Sequence, residues 1–176
     1  VYTMTQISIA SIHKQKGDNA TAVAILTDLL ESYTESKIRI AVLNNLGATR
    51  KAMGDYTAAL ATFTEAAALN PSKPILAALL NNIGTLQLKL GQHKLALEAH
   101  KSALRIWKSM HEDDHPDIGR VLNNIASVHL DLGEAETALP LLRDAQRMMI
   151  KTLGIHHPST VNVTIGLRNC KMAMQA

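Results

Sequence analysis

The chain has 176 residues, enough for one domain with a real core or for a short array of repeats. Hydrophobic residues make up 47% but aromatics only 3%, so the core is built from Ala, Leu, Ile and Val, which suits closely approaching helices better than an aromatic-rich β-sandwich. The formal charge of +3 is spread without a Lys/Arg block of the kind that tracks phosphates, the lone Cys170 rules out an internal disulfide framework, and no apolar run approaches the ~20 residues of a membrane helix. Nucleic-acid binding and membrane insertion are therefore not expected. The chain opens at Val1 and closes on "NCKMAMQA" in what read as helices, and we expect it to be a piece of a longer protein.

Four segments repeat along the chain. The first and faintest is "QISIASIHKQKGDNATAVAILTDL" from Gln6. "LNNLGATRKAMGDYTAALATFTEA" follows from Leu43, "LNNIGTLQLKLGQHKLALEAHKSA" from Leu80, and "LNNIASVHLDLGEAETALPLLRDA" from Leu122. Each reads as two helices around a stop glycine, at Gly17, Gly54, Gly91 and Gly133, with spacings of 37, 37 and 42 residues. In the second unit Leu43, Leu46, Ala48 and Met53 carry the apolar face of the first helix, and Ala59, Phe63 and Ala66 that of the second. One such pair cannot bury its apolar face alone, but a stack of pairs can.

Small and bulky residues recur at fixed places. Gly47, Ala59, Phe63, Ala66 and Pro71 in the second unit match Gly84, Ala96, His100 and Ala103 in the third. They match Ala126, Ala138, Leu142 and Ala145 in the fourth, and Ala10, Ala22 and Leu26 in the first, which has Leu29 where the others have Ala. This pattern resembles the tetratricopeptide repeat (TPR) family over about residues 3 to 150. The 42-residue spacing, repeated between His115-Pro116 and His157-Pro158, is similar to the longer repeats of kinesin light chains. The resemblance implies an all-α, right-handed superhelical solenoid of antiparallel helix pairs, with repeats at about 3–39, 40–76, 77–118 and 119–160 and a terminal capping or partial-repeat helix at 161–176. Arg168 stands in that last segment where the family has a small residue.

One motif points elsewhere. His111-Glu112-Asp113-Asp114-His115 has the H-E-x-x-H spacing of zinc peptidases, which requires both histidines on one continuous helix. Pro116 disfavours helix at His115, and Asp113 and Asp114 suit caps better than helix interiors. Alignment with the next repeat places His115 opposite His157, a junction residue, while His111 faces Leu153 and does not recur. The residues therefore read as a loop before a proline-started helix. His156-His157 read as surface residues, and the tripeptides at Asn19 and Asn162 as chance matches to glycosylation acceptors. No phosphate-binding or nucleophile motif occurs. Neither catalysis, a cofactor nor a metal is expected.

The resemblance implies that the first helix of each pair lines a concave groove holding an extended peptide. Its contact positions fall here on Asn44, Asn45, Asn81, Asn82, Asn123 and Asn124, on Thr85 and Ser127, and on Lys51, Lys89 and Arg120. Paired Asn within a helix is a local cost, and each side chain offers two donors and an acceptor suited to a peptide backbone. Alternatively, one Asn of each pair bonds a neighbouring repeat and fixes the stacking. The groove charges, Lys14, Lys51, Lys89 and Arg120 against Asp131, favour an acidic or C-terminally exposed segment. A carboxylate clamp of the co-chaperone kind is disfavoured by Ala78 and Asn82, where it would need basic residues. The expected function is a cytoplasmic, cytoskeleton-associated scaffold or adaptor that binds a protein or peptide partner. The alternative is a domain for self-association, as a homo-oligomer, or for docking within its own chain.

Overall fold

A computed structural model describes residues 2–112 and 114–175. Val1, Ala176 and Asp113 of the H-E-x-x-H pattern lie outside the described residues. Among the described residues there are nine α-helices and no strand: α1 (Tyr2–Gln15), α2 (Asn19–Ser32), α3 (Ser36–Ala52), α4 (Tyr56–Ala68), α5 (Lys73–Lys89), α6 (His93–Met110), α7 (Pro116–Asp131), α8 (Ala135–Leu153) and α9 (Pro158–Ala173). The chain divides into two compact units, residues 1–90 and 91–176.

In unit 1 the hairpin turns form because glycine alone takes the required backbone cheaply. Gly17 and Gly54 sit at φ 84° and 81°. The chain then closes back on the helix it has left: Asp18 N donates to His13 O (2.9 Å) and Asp55 N to Arg50 O (3.0 Å). The same aspartates start the next helices, accepting from Thr21 N and Ala58 N.

The recurring small residues have a visible cause. Phe63 on α4 lies fully buried over Gly47 on α3, where a β-carbon would stand 2.9 Å from the ring. Ala10, Ala22, Leu26 and Leu29 of the first hairpin pack with Val42 and Leu46 of α3. Arg39 ties the junction, donating to Leu30 O (3.0 Å) and Tyr33 O (3.4 Å) and pairing with Glu65 (2.9 Å).

Unit 2 repeats the scheme with longer second helices. α6 and α8 have 18 and 19 residues, against 14 and 13 for α2 and α4. Gly119 on α7 sits where a β-carbon would meet the Ala145 carbonyl and Met149 Cγ, each at 3.3 Å. Gly166 on α9 similarly faces Leu142 at 3.4 Å. The Cys170 thiol is buried and donates to Ala135 O.

The metalloprotease-like motif lies at the junction of α6 and α7. His111 ends α6 in an extended conformation (φ −133°, ψ 120°), and His115 is the extended N-cap of α7. The two rings lie 3.8 Å apart in a stack, with Trp107 centred 5.8 and 5.4 Å from them. His115 Nδ1 accepts from Asp117 N (3.2 Å), so that nitrogen is used as a helix cap. His157 caps α9 in the same way, through Ser159 N (3.1 Å). Asp114 accepts from Arg147 (2.9 Å) and Lys151 (3.0 Å) on α8, and these hydrogen bonds, Lys151 first, hold its carboxyl below the usual carboxylate range.

Candidate functional site

The first helices of unit 1 present two adjacent hollows. One, of about 370 Å³, lies between α3 and α5 and is lined by Lys37, Ile40, Ala41, Asn44 and Asn45 on one side and Pro74, Ile75 and Ala78 on the other. The second, of about 230 Å³, lies between α1 and α3 among Thr3, Met4, Ile7, Ile38 and again Lys37 and Ala41. Helical spacing explains the convergence. Asn44 and Asn45 lie three and four residues beyond Ala41, itself four beyond Lys37, so all four border one side of α3, as Ile75 and Ala78 share a face of α5. The walls are apolar, and Lys37 stands on the ridge common to both hollows.

The asparagine pairs are used unequally. Asn44 and Asn45 both line the larger hollow, and Asn45 Nδ2 donates to Ala41 O (2.9 Å) within its own helix. That bond leaves its second amide hydrogen and its carbonyl oxygen for other partners. Asn81 is only 6% exposed and lies inside the packing of unit 1, whereas Asn82 is half-buried and accepts from Lys51 Nζ (3.4 Å). Lys51 and Asn82 thus bridge α3 and α5 directly. Thr85 Oγ1 donates back to Asn81 O (2.9 Å), and Lys89 is exposed at the end of α5.

In unit 2 the corresponding hollow, of about 180 Å³, is smaller and more polar. Arg120, Asn123 and Asn124 of α7 face Ser159, Asn162 and Val163 of α9, with Met149 at the floor. Arg120 is bonded to Asp117 one turn away. Ser127 Oγ donates to Asn123 O (3.0 Å), the same back-bond that Thr85 makes.

The structure therefore brings Asn44 and Asn45 to one hollow and Arg120, Asn123 and Asn124 to another. It ties Lys51 to Asn82 and buries Asn81. Reading the repeats from Ile40 and Ala77 passed over Lys37, Pro74 and Ile75. α3 and α5 begin at Ser36 and Lys73, so these residues belong to helical first turns ahead of the repeat frame. Ser72 followed by Pro74 at the second helical position was the available signal for the α5 start. Among the described residues no group of three His, Cys, Asp or Glu side chains is placed to hold a metal ion, and no helix is long and apolar enough to cross a membrane.

Known proteins share this architecture. A Podosopora anserina protein described as a kinesin light chain of nearly identical TPR-like repeats, in a singly substituted form, superposes with a TM-score of 0.80 at 20% identity, covering 98% of this chain and 86% of that one. BtubC (BKLC) from P. vanneervenii gives 0.67 at 17% identity, covering 99% and 67%. The MamA protein gives 0.66 at 15%, covering 98% and 86%. At such identities the likeness shows a shared fold, the TPR-like solenoid of helix pairs. No curated protein sequence matches significantly. A "Tetratricopeptide repeat" profile matches residues 38–109 and 75–151, more than half of the chain, and the chain therefore belongs to the tetratricopeptide repeat family.

Proposed function

We propose that this protein is a non-enzymatic, cytoplasmic scaffold or adaptor that captures a short, extended, acidic segment of a protein partner on the first helices of its repeats. The observation that carries this reading is the larger hollow of unit 1. It combines apolar lining (Ile40, Ile75), two asparagines able to bond a main chain, and a lysine at the rim. An extended segment leaves its own backbone groups unpaired, so Asn44 and Asn45 face the groups they are suited to bond.

The test is selection of binding peptides from a random library on the folded protein, followed by titration against Ala78→Trp. Ala78 is only half-buried, so an indole there fills the hollow without removing core contacts. Selected peptides should lose at least about tenfold in affinity on the variant, the worth of one filled apolar contact. Equal binding to both proteins, or no selectable peptide, would remove the reading.

A second reading has its own support. α9 exposes Val161, Ile165 and Met172 along one side, an apolar stripe interrupted by Arg168. Such a stripe suits self-association. Sedimentation equilibrium should then show mass rising with concentration, and Ile165→Glu should abolish the rise.

A further inference from the structure

The second helices of the two units carry opposite charge. In unit 1, α2 and α4 hold three carboxylates and no Lys or Arg. In unit 2, α6 and α8 hold seven Lys or Arg against three carboxylates. The small formal charge of the whole chain, +3, conceals this division.

On α2 the charge gathers at one end. Asp28 and Glu31 are exposed in its last two turns, where the negative pole of the helix disfavours carboxylates, and no basic residue stands in the last turn. Arg39 reaches the Leu30 carbonyl on this helix but pairs with Glu65 instead. Neither Asp28 nor Glu31 enters an ion pair among the described residues. The same side of α2 is otherwise flat, because the exposed side chains preceding Glu31 at helical spacing are Ala20, Ala24 and Thr27.

α6 is the counterpart. Lys94, Lys101, Arg105 and Lys108 recur at i, i+7, i+11 and i+14, so they share one face, and all four are exposed. Glu98 interrupts that face in its first half, whereas the second half carries cations alone. None of the four enters an ion pair among the described residues. Arg105 and Lys108 are three residues apart, as are Asp28 and Glu31, a rise of about 4.5 Å on either helix. The two pairs can therefore meet in register, with the apolar stems of the cations laid over the flat side of α2.

We infer that α2 of one copy of this chain docks on α6 of a second copy, through Asp28 and Glu31 against Arg105 and Lys108. The two faces differ, so the contact is heterologous and either propagates along a row of copies or closes into a ring. It uses neither the hollows of the first helices nor the α9 stripe, and so stands apart from both readings above.

The experiment is sedimentation equilibrium of the whole chain from about 10 µM to about 1 mM, the range of weak interfaces. At about 10 mM salt, where exposed charges act over about 30 Å, mass should rise with concentration. At about 1 M, where they act over about 3 Å, it should return to that of the monomer. Asp28→Lys with Glu31→Lys should weaken association at least about tenfold, and so should Arg105→Glu with Lys108→Glu, since each turns two attractions into repulsions. Circular dichroism and a thermal melt check that each variant is folded. Mixing the two double variants, or combining all four changes in one chain, should restore association, because opposite charges face each other again. A damaged fold would not be rescued in this way.

Mass that stays monomeric at every concentration, or that rises equally at both salt concentrations, overturns the inference. A rise that Ile165→Glu abolishes and both double variants keep also overturns it and assigns association to α9. Loss in the α6 variant alone shows that α6 meets a surface other than α2 and overturns the pairing, as does a mixture that fails to recover.

Discussion

Units 1 and 2 solve the same packing problem with different materials. In unit 1 the bulky residue of the second helix is Phe63, pressed onto Gly47. In unit 2 the residue at the same repeat position of α6 is His100, also fully buried. The hollows differ in parallel. That of unit 1 is apolar, with Lys37 at its rim. That of unit 2 is small and polar, and its Arg120 is bonded to Asp117. The helix junctions differ too. Unit 1 uses Arg39 to gather the Leu30 and Tyr33 carbonyls, while unit 2 caps α7 and α9 with the Nδ1 atoms of His115 and His157. A repeat fold thus fixes the sizes that must recur and leaves polarity free at each copy.

The largest expected divergence between the units is their response to acid. Burial pushes the His100 imidazole down to about 4, so the fold prefers the neutral ring. Its stabilising effect is complete above the ordinary histidine value of about 6.5 and is lost as pH falls from there towards about 4, a loss of up to about 3 kcal/mol. Hydrogen exchange resolved along the chain should show amides of α6 and α7 losing protection across that range while those of α3 and α4 hold. His100→Phe, which copies unit 1, should flatten the response. Equal loss in both units would place the acid-sensitive group elsewhere.

The next comparison concerns the close helix approaches. Gly47→Ala sets a methyl 2.9 Å from the fully buried Phe63 ring, which must shift, and should cost about 1–3 kcal/mol in a urea melt. Gly119→Ala meets its neighbours at 3.3 Å, partly the flexible Met149 side chain, and should cost less. A smaller loss for Gly47→Ala than for Gly119→Ala would show that Phe63 is not held as tightly as its burial implies.

The smallest effect separates the two histidine caps. His157→Ala removes a cap and should cost about 1 kcal/mol. His115→Ala removes a cap and also the stack with His111 and Trp107, so it should cost more by thermal melting. His115→Asn keeps an acceptor for Asp117 N and should recover the cap share alone. Full recovery would show that the ring stack contributes nothing to stability.

Much of the fold was legible because repetition amplifies weak local signals. One glycine after an amphipathic segment is a modest indication of a turn. Four at spacings of 37, 37 and 42, each followed by small and bulky residues at recurring places, specify a helical hairpin and its packing partner. The opposite case is H-E-x-x-H, where His111 had no counterpart in the next repeat and Pro116 followed, and the residues form a junction. The candidate site was less legible. The asparagine pairs stand out in the sequence, but their fates diverge: Asn81 is buried, Asn82 is bonded to Lys51, and Asn44 and Asn45 line a hollow. A helix turns about 100° per residue, so neighbouring identical side chains face different surroundings, and the sequence does not mark which face meets solvent.

The sequence by itself determined the helix pairs, their turns and the small residues that let them approach, since these follow from backbone conformation and from periodicity within each repeat. Only the tertiary structure decided which polar groups are consumed in packing and which line a hollow. Lys51 and Asn82 lie 31 residues apart, and Lys37 and Ile75 share a hollow although they come from different helices. Whether a side chain is available to a partner depends on such neighbours across helices, and those are fixed by stacking.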